Sequence, residues 1–312
     1  MRRLRGIGSS LRRGWRLFRR SRQGVVGAAI LAVFIALAVF GPFLVGAIDR
    51  AGTYQQLQLP SASHLFGTDR SGRDVFTTFV HGAQISILVG VVASVLSMVI
   101  GSAVGIVAGF LGGRTDGTLM RITDFFYVLP TLVLAVVLTA ILGPSLVNVI
   151  IVIAITSWPG TARIIRAQTL SIRERSFVAR ARAYGASNLQ IMVRHVLPNV
   201  FTLILANTTL TVGSAIFLET TLSFLGVGVQ DTFSWGRMLE ESFDAGALTL
   251  GLWAWFVPPG LAVVLVIVGF TLIGQAFDEI LDPRLRRREE STDDDAPIQR
   301  GAELIPVTLE QR

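Results

Sequence analysis

Few residues of this chain have the type and spacing of a catalytic or metal-binding centre. His64, Asp69, Asp74 and His81 carry imidazole and carboxylate groups that could bind a metal ion. Their spacing matches no pattern of metal ligands, so we interpret them as polar groups of a loop and predict no metal site. The sequence also lacks the H-E-x-x-H and G-x-S-x-G patterns of hydrolases. We therefore expect that the chain is not an enzyme and has no catalytic residues.

Two residue types are missing from the chain, and each absence removes a class of chemistry. All 28 basic residues are arginines, and there is no cysteine. Without cysteine the chain forms no disulfide and no thiolate metal site. Without lysine it has no Walker A loop, which needs that side chain to hold nucleotide phosphates, and no Schiff-base chemistry. We expect this chain itself to bind no cofactor, ATP included.

The composition is that of a membrane protein. Of the 312 residues, 51% are hydrophobic and only 16% are charged, whereas soluble proteins carry about 25% charged residues. With a net charge of +7, this favours a lipid bilayer over nucleic acid as the partner. Because a helix needs about 20 apolar residues to cross a bilayer, the uncharged windows predict an all-α protein with six transmembrane helices. They lie near residues 25–48, 83–111, 125–142, 145–162, 195–218 and 245–277, with Gly143-Pro144-Ser145 before the fourth and Pro258-Pro259-Gly260 at the start of the last.

The arginines predict how these helices are oriented. If the N-terminus is cytoplasmic, the inside segments contain 24 arginines and the outside segments contain four. Cytoplasmic segments are enriched in arginine, so both termini are predicted to be cytoplasmic. The resulting segments are a basic N-terminal segment (1–24), the first helix (25–48), an extracellular loop (49–82), a core of five helices (83–278) that includes a cytoplasmic loop (166–198), and a largely disordered cytoplasmic tail (279–312).

Small and polar residues are regularly spaced in two of the predicted helices. Gly101, Gly105 and Gly109 recur every four residues, which favours close packing against another helix over a role in a pore. In the fifth helix, polar residues on roughly one face either hydrogen-bond a neighbouring helix or line a polar path. They are Asn207, Thr208, Thr211 and Ser214. No ionisable residue lies in the middle of a predicted span, which disfavours ion-coupled secondary transport.

The cytoplasmic loop before the fifth helix carries the signals of two short helices. Capping boxes at Ser171–Glu174 and Ser187–Gln190 predict helices over about 172–184 and 188–197. Between them Gly185 is placed to end the first helix in a left-handed conformation. A basic element of this kind at the membrane surface is either a docking element or a solvated loop, and the pattern favours neither.

This loop resembles the coupling loop of ABC importer permeases. That family's pattern is Glu-Ala-Ala, three residues, Gly, nine residues, Ile, one residue, Leu-Pro. Here Phe177–Gly185 (FVARARAYG) and Arg194–Asn199 (RHVLPN) keep the glycine and the Leu-Pro at the family's spacing, while Ala-Arg-Ala replaces Glu-Ala-Ala and His195 replaces Ile. The resemblance implies contact with a separate ATPase subunit. The residues concerned are Ala179, Arg180, Ala181, Gly185, Arg194, Leu197 and Pro198.

Further segments resemble the C-type permease subunits of dipeptide, oligopeptide and nickel importers. His64–Val75 (HLFGTDRSGRDV) is similar to their exterior signature. Its charged residues either pair with one another or contact a solute-binding protein, and its glycines supply turns. The signature residues are Gly67, Asp69, Gly72, Arg73 and Asp74. Other similar segments, in the family's order, are 108–113, 120–124, 222–230, 234–239, 258–261 and 281–284.

The resemblance implies a type I importer fold in the cell membrane, with the fifth helix lining the translocation path. The implied partners are the lipid bilayer, a homologous B-type permease subunit, two ATPase subunits that bind ATP and Mg at the cytoplasmic face, and an extracellular solute-binding protein. No nucleic acid is expected. The implied function is ATP-driven import of di- or oligopeptides. Nickel or oligosaccharides are alternative cargoes, and an autonomous channel, a secondary transporter or a membrane scaffold is an alternative function.

Overall fold

The computed structural model describes residue 18 and residues 21–49, 52–229 and 232–281, and the regular structure of this part is helical. The predictions for the basic N-terminal segment and for the tail lie almost entirely outside these residues. One isolated antiparallel bridge pairs Thr68 with Asp74. The helices are α1 (Arg22–Val45), α2 (Val75–Leu111), α3 (Gly113–Val128), α4 (Thr131–Leu142), α5 (Leu146–Arg173), α6 (Ser176–Ala183), α7 (Asn188–Ile191), α8 (Leu197–Phe224), α9 (Trp235–Asp244) and α10 (Trp253–Leu281).

The predicted transmembrane helices are present, but one of them is bent. Within the described residues α1, α2, α5, α8 with the turn before it, and α10 are long and apolar enough to cross a membrane. α3 and α4 pass this test only together, because a bend of 90° separates them. The prediction of one helix over 125–142 is therefore wrong. Pro130 has no amide hydrogen and keeps Leu129 out of the helical conformation (ψ 133°), so the chain turns there.

Several helices extend beyond the spans that were predicted for them. α2 begins at Val75 instead of residue 83, because the Asp74 carboxylate accepts a hydrogen bond from the Thr77 amide at 2.7 Å and caps the helix. At the other end of the fold, α8 continues to Phe224 instead of residue 218. Charged residues limit the part of a helix that lies in hydrocarbon, but they do not end the helix itself.

The predicted helix start at Ser171–Glu174 is wrong. α5 runs through Ser171 and ends at Arg173, and the next helix begins only at Ser176. A capping box has its effect where the chain enters a helix, and at Ser171 the chain is already helical. The second predicted helix start is present, because the Ser187 hydroxyl accepts from the Gln190 amide at 3.3 Å and caps the helix.

The double proline of the last span lies inside the helix and does not mark its start. α10 begins at Trp253, and Pro258 and Pro259 follow within its second turn. Prolines at these positions leave the carbonyls of Ala254 and Trp255 without their usual helical donors. Both residues are almost fully buried, at 1% and 2% exposure, so packing offsets part of this loss.

α2 is the central helix of the fold. It packs along α5 and also contacts α1, α8 and α9. One apolar cluster around Trp235 joins its N-terminal part to α8, α9 and α10, and another around Phe110 and Ile191 joins its C-terminal part to α5 and the start of α8. With 37 residues α2 is about 55 Å long, which exceeds the roughly 30 Å of hydrocarbon in a bilayer. Part of α2 therefore extends out of the membrane.

Candidate functional site

The segment between α5 and α8, residues 174–196, forms an elbow with an exposed tip. Gly185 separates α6 from α7 with a φ of +81°, a left-handed conformation that glycine adopts without steric cost. No heavy atom lies within 4 Å of the position that a Cβ would occupy there. The neighbouring Tyr184 is 89% exposed. The tip thus presents an uncovered surface that another protein can contact.

Most residues that the resemblance assigns to ATPase contact lie on the exposed side of the elbow. Ala181 is partly buried and packs against the apolar cluster that contains Val178, Ile191 and Val196. These three side chains are at most 1% exposed, so they give the elbow a packed base. The exposed candidates are Ala179, Arg180, Gly185, Arg194, Leu197 and Pro198.

A π-helical turn, Met192–Val196, connects the elbow to α8. Pro198 has no amide hydrogen, and in the turn before it the Leu197 amide donates to the carbonyl of Met192, five residues back. The Asn199 carboxamide donates to the His195 carbonyl at 2.6 Å and supplies a hydrogen bond that the backbone does not make. The helical path therefore continues from the elbow into α8, although Pro198 donates no hydrogen bond.

Arginines tie the elbow and α5 to the ends of α2 and α3. Arg166 donates two hydrogen bonds to the Asp116 carboxylate, at 2.5 and 2.6 Å. Arg173 donates to the Phe110 carbonyl at 3.4 Å, near the C-terminal end of α2, where the helix dipole favours a positive charge. The guanidinium of Arg182 lies 5.3 Å from the centroid of the Phe110 ring. These contacts link displacement of the elbow to α2 and α3.

The regularly spaced glycines of α2 lie against the backbone of α5. A Cβ at Gly101, Gly105 or Gly109 would lie between 2.6 and 2.8 Å from a carbonyl oxygen of α5, closer than real Cβ atoms come. Only glycine permits this approach, and it brings the two helices into backbone contact. The glycines lie in the packed interface of α2 with α5.

A cavity of about 650 Å³ lies where the bend between α3 and α4 meets α5 and α8. This volume is typical of small-molecule sites. Hydroxyl and amide side chains line much of it, and none of the described lining residues is charged. The polar lining residues are Tyr127 and Thr131 at the bend, Thr156, Ser157 and Thr161 on α5, and Asn207, Thr211 and Ser214 on α8.

Three of the four polar candidates of the fifth predicted helix, Asn207, Thr211 and Ser214, line this cavity. The fourth, Thr208, is not part of the lining, and its hydroxyl donates to the carbonyl four residues before it at 2.7 Å. Asn207 also donates to the Thr161 hydroxyl at 3.0 Å. Asn207 thus both hydrogen-bonds a neighbouring helix and lines the cavity, while its role in a translocation path stays a prediction.

The α5 side of the cavity and the bend were not predicted from the sequence. Thr156, Ser157 and Thr161 were assigned no role, although they line the same cavity as the polar residues of α8. Pro130 and Pro159 could have indicated this region in the sequence, because a proline inside an apolar window removes a helical hydrogen bond there. Both prolines line the cavity.

Two charged residues beside the cavity pair with each other. Arg163 donates to the Asp124 carboxylate at 2.5 Å. Its guanidinium also lies 4.0 Å from the ring centroid of Tyr127, which lines the cavity. The pair adds no net charge next to the uncharged lining.

The loop before α2 is built around Asp69 and two glycine turns. Gly67 and Gly72 have φ values of +78° and +76° and lie so close to other backbone segments that a Cβ would collide with carbonyl oxygens. Asp69, only 2% exposed, accepts hydrogen bonds from the amides of Ser71 and Arg73 at 2.8 and 2.9 Å and from the Arg73 guanidinium at 2.5 Å. The loop thus has a fixed conformation.

Arg73 joins this loop to α9. Its Nη2 donates to Glu241 at 2.9 Å, and Arg237 donates to the same carboxylate at 3.0 Å. The other oxygen of Asp74, the cap of α2, lies 2.9 Å from His64 Nδ1. The signature residues therefore form local ion pairs, and among the described residues no three His, Asp or Glu side chains are grouped as metal ligands.

Acidic side chains of α9 lie beside these ion pairs. A small polar cavity of about 230 Å³ separates Arg70 and Arg73 from Glu240 and Asp244. Burial raises the pKa of the Glu240 carboxyl above its usual range, and the nearby carboxylate of Asp244 raises this pKa further. This part of α9 thus carries a carboxyl group that is easier to protonate than usual.

Glu219, one residue beyond the predicted fifth span (195–218), lies inside α8 and is fully buried. Ser86 and Ser223 donate hydrogen bonds to its carboxylate at 3.3 and 2.9 Å. The Ser86 hydroxyl also accepts from the amide of Trp235 at 3.1 Å, and the Trp235 indole donates to the Phe79 carbonyl at 3.0 Å. This network fixes α9 to α2 and α8.

The chain matches two protein-family models. The family model described as "Binding-protein-dependent transport system inner membrane component" matches residues 101–287, and the model of the "N-terminal TM domain of oligopeptide transport permease C" matches residues 9–60. The chain is 39% identical to the dipeptide transport system permease protein DppC of Bacillus subtilis, over 88% of this chain and 85% of that protein. It is 38% identical to the oligopeptide transport system permease protein OppC of the same organism, over 86% and 88%.

A glutathione transport system permease protein, GsiD of Shigella flexneri, is also 38% identical, over 87% of this chain and 90% of that protein. Among solved structures, an inward-facing form of the MetNI methionine ABC transporter matches with a TM-score of 0.51 and 22% identity. The match covers 66% of this chain and 95% of the matched chain. At this identity the match concerns the fold, and it confirms the predicted fold class.

Proposed function

Because the chain belongs to the family of binding-protein-dependent transport system inner membrane components, we propose that it is one permease subunit of an ATP-driven importer of di- or oligopeptides. This membership confirms the predicted resemblance to importer permeases, and with it the prediction of a multi-pass protein of the cell membrane. The permeases named above import dipeptides, oligopeptides and glutathione according to their names. Peptides are therefore the cargo that we assign, ahead of nickel and oligosaccharides.

The observation that supports this proposal best is that the same two helices carry the cavity and the elbow. α5 contributes Thr156 and Thr161 to the cavity and ends at the elbow with Arg173. α8 begins at the elbow with Leu197 and contributes Asn207 to the cavity. Elbow and cavity are thus about 15 Å apart along continuous helices, at a rise of 1.5 Å per residue. A force on the elbow reaches the cavity as a rigid-body movement of α5 and α8.

In this proposal the exposed tip around Gly185 lies in a cleft of a partner ATPase subunit. Arg180 and Arg194 are exposed beside it and suit an acidic rim. ATP and Mg are bound by two ATPase subunits and not by this chain, which has no Walker A lysine. This subunit is non-catalytic and converts closure of the ATPase pair into alternating access.

A homologous B-type permease subunit completes the path in the proposed assembly. The cavity is open on one side, as expected for half of a shared channel. A solute-binding protein delivers the cargo to the outer face, near the ion pairs of Arg73. Both termini lie in the cytoplasm, as the arginine distribution predicts.

The backbone of Gly185 gives a direct test of coupling. The full transporter, with both permeases, ATPases and binding protein, is reconstituted in vesicles, and peptide uptake and ATP hydrolysis are measured together. Gly185→Val places a β-branched residue at φ +81°, a strain on the order of 1–3 kcal/mol, and distorts the tip. We expect it to assemble and still hydrolyse ATP, with uptake per ATP reduced several-fold.

Gly185→Asn is the matched control, because asparagine tolerates the left-handed conformation and there is space for its side chain. We expect this variant to keep most of the uptake per ATP. Equal and unimpaired coupling in both variants would contradict the role of the elbow. ATP-independent flux of peptide through this chain alone would favour an autonomous channel.

A further inference from the structure

The cavity between the bend, α5 and α8 combines a polar lining with an absence of charge. None of its described lining residues is an Arg, His, Asp or Glu, and the neighbouring Arg163 and Asp124 neutralise each other. The polar groups are hydroxyls and the carboxamide of Asn207, which donate as well as accept hydrogen bonds. A ligand in this cavity meets hydrogen-bonding groups but no fixed charge.

Part of this hydrogen-bonding capacity is unused. The side-chain hydroxyls of Ser157 on α5 and Ser214 on α8 make no hydrogen bond to other described residues, and both residues line the cavity. Asn207 uses its amide nitrogen to donate to Thr161, while its carbonyl oxygen accepts no hydrogen bond from the described residues. A donor-and-acceptor group is thus available on each wall, and one further acceptor lies beside them.

This chemistry fits the main chain of a peptide. Peptide amides offer alternating donors and acceptors, which hydroxyl and carboxamide groups can bind from either side. A transition metal ion would need imidazole, thiolate or carboxylate ligands, and the described lining has none. A charged cargo side chain would find neither an opposite charge that holds it nor a like charge that repels it.

We infer that this cavity binds the main-chain amides of the passing peptide and does not discriminate between cationic and anionic side chains. The inference rests on the proposed function and specifies that the permease contacts the main chain of the cargo peptide. It also predicts that charge selectivity arises only if a charge is placed in the lining.

Ser214 is the position for that charge, because its side chain is exposed to the cavity and has no described partner to lose. The reconstituted transporter is supplied with binding protein saturated with Ala-Lys or with Ala-Glu, and the ratio of the two uptake rates is compared with that of the unmodified chain. Ser214→Asp is expected to raise the ratio of Ala-Lys to Ala-Glu on the order of a hundredfold. The Coulomb factor for unit charges roughly 12 Å apart at an effective dielectric constant of about 20 is about ten, and it favours Ala-Lys and disfavours Ala-Glu.

Ser214→Arg is expected to shift the ratio by a similar factor in the opposite direction. Because each variant is judged by a ratio, a lower amount of assembled transporter does not affect the result, and the preference of the binding protein cancels. Ser214→Asn changes side-chain size without charge, so it should alter both uptake rates by the same factor.

Thr221→Asp is the control for charge outside the cavity. Thr221 lies two turns further along α8, is not part of the lining, and donates to the Phe217 carbonyl at 2.8 Å. We expect a clearly smaller shift of the ratio for this variant, because its charge lies about 10 Å further along the helix. A shift equal to that of Ser214→Asp would overturn the inference, since it would show that the charge acts from anywhere on α8.

The outcomes separate the inference from the proposed function. If both peptides are taken up but neither Ser214→Asp nor Ser214→Arg shifts the ratio, the cavity does not contact the cargo and the inference is wrong. If the unmodified transporter hydrolyses ATP but takes up neither peptide, the proposed peptide function itself is wrong.

Discussion

The interface between α2 and α5 allows a quantitative test at Gly105. In Gly105→Ala the new Cβ would lie 2.6 Å from the carbonyl oxygen of Ala162 and 2.9 Å from the Cβ of Ile165. An ordinary non-bonded contact needs about 3.5 Å, so the helices must separate by roughly 0.6–0.9 Å. The atoms that would yield are mainly backbone of α5, which has little freedom to move within a packed bundle.

The expected free-energy change follows from two opposing effects. Overpacking of a close interface costs about 1–3 kcal/mol. Alanine is a better helix former than glycine by about 1 kcal/mol, which offsets part of this cost. We therefore expect Gly105→Ala to lower the free energy of unfolding by up to about 2 kcal/mol.

Gly117 is the matched control, because it is also in a helix, α3, and has no atom within 4 Å of the position of a Cβ. Gly117→Ala should be neutral or stabilising by up to about 1 kcal/mol. Thermal unfolding of the purified protein in one detergent, followed by tryptophan fluorescence, compares the variants. The two substitutions should shift the apparent melting temperature in opposite directions.

A double variant makes the test sharper. Gly109 meets α5 in the same way one helical turn further on. If Gly105→Ala has already separated the helices, adding Gly109→Ala should cost less than it does alone, which is the non-additivity expected of neighbours. The deduced backbone contact would be refuted if Gly105→Ala were as stable as Gly117→Ala. It would also be refuted if the costs of Gly105→Ala and Gly109→Ala were strictly additive.

Two further predictions concern α9 and its attachment. Glu219→Leu should destabilise the fold by about 2–4 kcal/mol, because the buried hydroxyls of Ser86 and Ser223 lose their acceptor. Glu219→Gln keeps an acceptor oxygen and should cost clearly less stability in the same thermal assay. Equal costs for the two variants would show that the network contributes little. Because the folded state raises the pKa of Glu240, it holds that proton more tightly than the unfolded state does, so stability should fall as the pH rises from the usual carboxyl range through the raised pKa. Glu240→Gln should flatten this part of the pH profile and raise stability above it, and an unchanged profile would contradict the raised pKa.

Composition and periodicity were sufficient to predict five of the six membrane spans. A hydrocarbon layer tolerates few charges over about 20 residues, so uncharged windows mark spanning helices whatever the rest of the fold does. The close packing of Gly101 and its neighbours was predicted for a similar reason, because residues four apart share one face of any helix. The elbow was recognised from Gly185 and the Leu-Pro pair, since these act on the local backbone.

Features that join distant parts of the chain were not predictable in this way. Glu219 was placed at a span end because the pattern contains no information on the hydroxyl of Ser86, which lies 133 residues away in sequence. The polar face of α8 was visible, but the α5 wall that faces it was not. Likewise, Pro130 removes a backbone hydrogen bond whether the helix is only kinked there or broken. The 90° bend therefore follows from how α4 packs on α5 and α8.

What the residue order determined for this protein is therefore local: where helices can cross a membrane, where they turn, and which face of each is small or polar. The tertiary structure decided which faces meet. It brought Asn207 into contact with Thr161 beside a cavity with an uncharged described lining, and it placed the elbow on the same two helices. The physical reason is that local backbone preferences depend on a few neighbouring residues, whereas a cavity depends on the packing of helices that are far apart in the sequence.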